Sequence, residues 1–226
     1  MKLIISNKHD VVIGKKLPSL ILSNAVKHDG VTMKSIINSG DYRILNNTYR
    51  IIPWKKGESY YHEILERSSQ QLEAMLSYHS KVHVIRYDLH VSKYTEANED
   101  LSKFMRALNQ RLKRKYGHVR LGYVWCREQN LSNKQHYHLA LMINGNLFKS
   151  SHTISAIVDE LWTRLGHPVT YKPDNHIYKI QRGDEVVARA AFERMAYMAK
   201  VRTKGKRKGP VNDYSTSRLK AKWLLH

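Results

Sequence analysis

An α+β domain is the fold class this chain predicts, and three observations predict it. Several segments carry apolar residues at intervals of three, four and seven, the period of a helix face. Between them lie short runs rich in β-branched and aromatic residues, the composition of strands. Turn-forming residues separate the two kinds of segment, and 226 residues suffice to bury the core of one ordinary domain with room for an extension.

Residues 1–50 mix apolar pieces at 3–5, 11–13 and 20–22 with polar and basic residues, punctuated by Gly14, Pro18, Gly30 and Gly40. They show no sustained period and are read as an N-terminal extension of unknown role, ahead of a main domain over 51–208 and a basic tail over 209–226. Tyr61, Ile64, Leu65, Leu72, Met75 and Leu76 predict a helix over 60–78. Alternation over 81–91 predicts the first strand. Asn98 then offers a helix cap, followed by Glu99 and Asp100, and Leu101, Phe104, Met105, Leu108 and Leu112 form one stripe that Gly117 ends. Strands are predicted over 119–127 and 134–143, the second closing at Asn144-Gly145-Asn146. Ile154, Ile157, Val158, Leu161 and Leu165 predict a helix begun near Ser150 or Ser151 and stopped by Gly166 and Pro168. A short strand over 176–180 leads into a last helix over 185–201. There, Val187, Ala191, Met195 and Met198 share one face, and Glu193, Tyr197 and Lys200 share another.

Charge points to the partner. Lys and Arg number 39 against 19 Asp and Glu, a formal net charge of +20, and a polyanion is the natural complement. No apolar run approaches the ~20 residues of a membrane-spanning helix, and the first ten residues break too soon for a signal peptide, so a soluble intracellular protein is expected. The single cysteine, Cys126, excludes an internal disulfide and a Cys-rich zinc module, and reads as a small buried hydrophobe. Residues 101–127 contain no Asp or Glu, while Lys103, Arg106, Arg111, Lys113, Arg114, Lys115, Arg120 and Arg127 are all cationic. Such a run fits a solvated face and fits a phosphate-tracking surface equally. Arg202, Lys204, Lys206, Arg207 and Lys208 crowd around two glycines, and a loop of that kind binds phosphates without reading sequence.

The strand 134–143 carries the chemistry. Side chains alternate along a strand, so His136 and His138 project to one side with Ala140 and Met142, and Tyr137, Leu139, Leu141 and Ile143 to the other. Glu128, eight residues before His136, ends the preceding strand. Two imidazoles and a carboxylate suit a divalent cation acting as a Lewis acid. The histidine pair alone also fits two ordinary strand residues, one satisfied and one solvated. Tyr197 alone fits a core or interface tyrosine. Lys200 beside it can neutralise charge on a phosphorane-like transition state, and attack by a tyrosine on a phosphodiester divides strand transfer into two easier, reversible steps.

Three stretches resemble the HUH endonucleases, and among them the single-tyrosine rolling-circle replication initiators of inovirus type, encoded by filamentous phages and prophages. They are Ile85-Arg-Tyr-Asp-Leu-His, then Trp125-Cys-Arg-Glu-Gln followed by His136-Tyr-His-Leu-Ala-Leu, and Tyr197-Met-Ala-Lys200. The resemblance covers about residues 58–208. It implies a central antiparallel sheet of about five strands, a palm of ferredoxin or RRM type with packed helices. It implies Mg²⁺ or Mn²⁺ held by His136, His138 and, as third ligand, Glu128, with Tyr197 as nucleophile and Lys200 as its helper. Tyr214, in the basic tail, is a weaker second nucleophile. Single-stranded or origin DNA, bound by Arg111, Lys113, Arg114, Lys115, Arg127, Arg202, Lys204, Lys206, Arg207 and Lys208, would be nicked and rejoined in the cytoplasm of a bacterial host, with a host helicase as a further partner. Two other classes stay open: a non-catalytic DNA-binding regulator derived from such an enzyme, and a metal-dependent hydrolase that activates water and leaves no covalent adduct.

Overall fold

The structure is a computed structural model that describes residues 36–44, 47–51, 55–129, 133–204 and 212–225. All belong to one unit of the chain, Lys34–His226. The expectations for residues 1–35 and for Lys206, Arg207 and Lys208 lie outside the described residues.

The fold is α+β, as the sequence predicts. Two small antiparallel pairs come first, β1 (Ile36–Ile37) with β4 (Tyr60–Tyr61), and β2 (Gly40–Ile44) with β3 (Asn47–Ile51). The main sheet contains β5 (Lys81–His90), β6 (Gly122–Glu128), β7 (His136–Asn144), β8 (Ile177–Gln181) and β9 (Tyr214–Thr216). Its order is β8-β5-β7-β6-β9, antiparallel throughout, so the histidine strand β7 is the central one. Four helices pack on it: α1 (His62–Tyr78), α2 (Glu99–Tyr116), α3 (Ser151–Thr163) and α4 (Glu185–Ala196).

Strand alternation divides the apolar residues between two cores. On one face Val84, Val124, Cys126, Ala140 and Met142 meet Leu65, Leu72, Met75, Phe192 and Met195 of α1 and α4. On the other, Ile85, Tyr87, Trp125, Leu139 and Leu141 meet Phe104, Leu108, Leu112, Ile154 and Trp162 of α2 and α3. A sheet covered on both faces explains why its inner strands are apolar nearly throughout. Tyr49 and Ile51 of β3 are buried in the first core, so part of the stretch read as an extension packs on the main domain.

Several local expectations are corrected. Helix α1 starts at His62, because Tyr60 and Tyr61 are taken up in pairing with Ile36 and Ile37. Asn98 does not cap α2 with its side chain. Its Oδ1 accepts instead from Arg127 Nη1 at 3.1 Å and from the Tyr137 hydroxyl at 3.0 Å, so a tertiary use of the amide displaces the local one. The last α-helix stops at Ala196. Residues Tyr197–Ala199 form a 3₁₀ turn, and Lys200 turns extended (φ −56°, ψ 133°) to bridge Tyr60. The fifth strand lies where a basic tail is expected: Ser217 Oγ donates to Gln71 Oε1 at 2.6 Å, and Tyr123 N donates to Ser217 Oγ at 2.9 Å, which pins the chain beside β6. Among the described residues no helix is long and apolar enough to cross a membrane.

Candidate metal centre

Antiparallel register assembles the site. Glu128, at the end of β6, lies opposite His136, which in turn lies opposite His90 of β5, and His138 lies between Cys126 and Asp88. Side chains on these rows project to the α1/α4 face, just beyond the apolar core. One ligand atom each from Glu128, His136 and His138 falls within 4.8 Å of the others, and these three residues can hold a metal ion. Glu128 Oε2 is 3.1 Å from His138 Nε2 and 3.8 Å from His136 Nε2. His90 stacks on His136 with ring centroids 5.6 Å apart.

A second layer orients these groups. His138 Nδ1 is 2.7 Å from Asp88 Oδ1, and Arg86 Nε donates to the same oxygen at 3.1 Å. Arg86 Nη2 also comes within 3.0 Å of His138 Nδ1. Arginine has only donors, so the shorter contact to the carboxylate is the one that places the Nδ1 proton. That leaves Nε2 facing Glu128, the carboxylate–histidine arrangement found behind metal ligands. On the other side, Lys204 Nζ, fully buried, donates to Glu128 Oε1 at 2.9 Å and to the Lys200 carbonyl at 3.1 Å.

Electrostatics follow from this packing. Burial alone would raise the Glu128 carboxyl, but the His138 hydrogen bond and the Lys204 charge hold it well below the usual carboxylate range. Burial, reinforced by the His138 charge, pushes His136 down to about 4. His138 moves the other way: burial opposes its charge, yet hydrogen bonds to Asp88 and Glu128 raise it above its ordinary value. Asp88, raised by burial, ends below its ordinary value because His138 and Arg86 favour the anion. At neutral pH His136 is therefore a neutral nitrogen donor and Glu128 an anionic oxygen donor. That donor set fits a divalent cation.

The 3₁₀ turn after α4 sets Tyr197, half-buried, against this cluster, its ring centroid 6.2 Å from that of His138. Two cations flank the ring. Arg86 Cζ lies 4.9 Å from its centroid and Lys200 Nζ 3.4 Å. Lys200 is buried and pairs with Glu58 at 3.2 Å, which also receives Arg202 at 3.2 Å. Burial lowers the Lys200 ammonium, against the pull of Glu58. Tyr214 sits elsewhere, on β9 opposite Cys126, half-buried against the α1 side of the core.

The expected DNA-binding residues separate into groups. Lys113, Arg114 and Lys115 are exposed on the last turn of α2, and Arg202 is exposed beside Glu58. Arg111 is engaged by Glu160 through two hydrogen bonds, at 2.9 and 3.2 Å. Arg127 and Lys204 are buried, unlike the exposed group. Arg127 is buried and donates to the carbonyls of Thr95, Glu96 and Ala97, which makes it a clamp on the loop before α2. Lys204 is the buried partner of Glu128. Both side chains are enclosed and hydrogen-bonded within the fold. Arg86, Asp88, His90 and Glu58 had no role assigned from sequence. The first three carry a readable signal, because polar residues at every second position of an otherwise apolar strand mark one functional face. Glu58 carries none, as the cations it pairs with, Lys200 and Arg202, come from a distant segment.

The fold and this cluster define an α+β domain with a histidine–carboxylate centre at one end of its central strand. The model of the YagK/YfjJ C-terminal domain matches residues 43–212, and the chain belongs to that family. The match spans every residue of the metal centre and Tyr197. No significant match occurs among curated proteins or among solved structures.

Proposed function

We propose that the protein is a metal-dependent enzyme that nicks and rejoins single-stranded DNA through a phosphotyrosine intermediate and thereby initiates rolling-circle replication of a phage or other mobile element. The observation that carries this reading is Tyr197, held between the Arg86 and Lys200 cations against His138 of the cluster. The resemblance to HUH endonucleases and the net charge of +20 support the choice of substrate.

Glu128, His136 and His138 would hold Mg²⁺ or Mn²⁺, which when bound polarises a phosphate oxygen. The Tyr197 oxygen attacks phosphorus, a bond forms between them, and the bond from phosphorus to the 3′ oxygen breaks. The phenol proton leaves to solvent, and the departing 3′ oxygen takes one up, so charge balances. Arg86 and Lys200 flank the Tyr197 ring, and fixed cations beside a nucleophile in a partly enclosed site would stabilise the charge gained by a pentacoordinate phosphate. Asp88 keeps the His138 ring in one tautomer. Attack by the free 3′ hydroxyl on the phosphotyrosine reverses the sequence and rejoins the strand.

The test is a single-stranded oligonucleotide labelled on the side 3′ of the nick. With the wild-type protein and Mn²⁺ the label should become covalently attached to Tyr197, the other fragment leaving with a 3′ hydroxyl. Tyr197→Phe should stop the reaction while keeping the ring, and His138→Ala should stop it while leaving DNA affinity largely intact. Cleavage without an adduct would identify a hydrolase instead, binding without cleavage a regulator, and an adduct on Tyr214 would move the nucleophile.

A further inference from the structure

A second polar hollow lies at the opposite end of β5 from the metal centre. It measures about 420 Å³, and its polar lining is Lys81, His83, Asn146, Lys149, Lys179 and Gln181. Three lysines and two side-chain amides line it without a carboxylate among the described residues.

The hollow is built into the sheet. His83 is 5% exposed and lies opposite Lys179 on β8, and its Nδ1 is buried with no hydrogen-bond partner among the described residues. The turn after β7 closes over the imidazole: Gly145 N donates to the Lys81 carbonyl at 2.8 Å, and a Cβ at Gly145 would stand 2.8 Å from His83 Nε2. Only glycine allows that approach. Burial and the charges of Lys179 and Lys81 lower His83, so the ring is neutral and the lysines carry the positive charge.

We infer that this hollow is a second phosphate-binding site, and that its occupant is a backbone phosphate of the nucleic acid outside the segment being cut. Clustered ammonium groups beside amide donors, with no competing acid, match a phosphate and mismatch a cation or an apolar ligand. His83 precedes His90 by seven residues, about 23 Å along a strand at ~3.3 Å per residue, too far for the phosphate attacked by Tyr197 to reach it. The inference rests on the nucleic-acid part of the proposed function, not on its chemistry.

Inorganic phosphate titrated calorimetrically, and a fluorescent mixed-sequence oligonucleotide titrated at several salt concentrations, test it. Lys149→Gln with Lys179→Gln changes two exposed side chains and leaves His83 and Gly145 in place. This variant should weaken phosphate binding at least tenfold. It should also weaken oligonucleotide binding for all sequences, with a salt slope smaller by about 0.7 for each phosphate no longer neutralised. Lys56→Gln with Lys93→Gln, matched in charge, should keep phosphate binding. Unchanged phosphate binding in the first variant overturns the site, and weakened phosphate binding with unchanged oligonucleotide binding overturns the nucleic-acid occupant. Adduct formation on Tyr197 is scored separately, so its absence in the wild-type protein would defeat the strand-transfer reading and leave this result legible.

Discussion

His138 is the residue on which protons and metal compete. Asp88 and Glu128 raise its imidazole above the ordinary value, so the metal-free ring keeps its second proton to higher pH than a free imidazole, and Nε2 must release that proton before it can ligate. Affinity for Mn²⁺ should therefore fall as pH drops through the His138 pKa. Calorimetry in buffers of different ionisation enthalpy should show proton release on binding that grows as pH is lowered, and an absence of release at every pH would mean that His138 is not a ligand. Asp88→Asn keeps the shape but weakens the orienting bond, and should cost about 10- to 100-fold in metal affinity. Lys204→Met leaves the buried Glu128 oxygen without its cation, and breaking such a pair destabilises by about 3–5 kcal/mol. Because a bound cation replaces the missing charge, the thermal shift produced by Mn²⁺ should be larger in that variant than in wild type.

At the level of elements, β9 and the start of α2 depend on single side chains. Gln71 on α1 accepts from Ser217 Oγ and from Leu219 N at 3.0 Å, and so ties the edge strand to the domain. Gln71→Leu strands both donors. Hydrogen exchange should then speed up at residues 214–217 while the central strand β7 stays protected, because the edge opens locally. Asn98 joins α2 to the sheet through Arg127, Tyr137 and the Asn212 carbonyl. Asn98→Ala should destabilise the domain by about 1–3 kcal/mol, the cost of unsatisfied buried donors, as measured by chemical denaturation.

Across the whole molecule the excess of positive charge is distributed unevenly. Arg127, Lys200 and Lys204 are used inside the fold, whereas Lys113, Arg114 and Lys115 remain exposed together. Replacing these three by glutamine should weaken single-strand binding alike for all sequences and lower the salt slope by about 0.7 for each phosphate they had neutralised. A changed sequence preference at constant slope would show that they read bases instead.

Periodicity alone determined the α+β class, the helices around Leu72, Leu108 and Ile157, and the shared face of His136 and His138, because each depends only on which side of its own element a residue falls. Glu128 could be nominated from its place at a strand end. Its distance to the histidines came from the register of β6 on β7. Asn98, Lys200 and Tyr214 were misplaced for one reason: a cap, a helix turn and a tail are local readings, and in each case a distant partner, Arg127, Tyr60 or β6, offered more. Which lysines remain outside and which pair with Glu58 and Glu128 was decided only by tertiary packing, since a charge in a sequence carries no record of the carboxylate the fold brings against it.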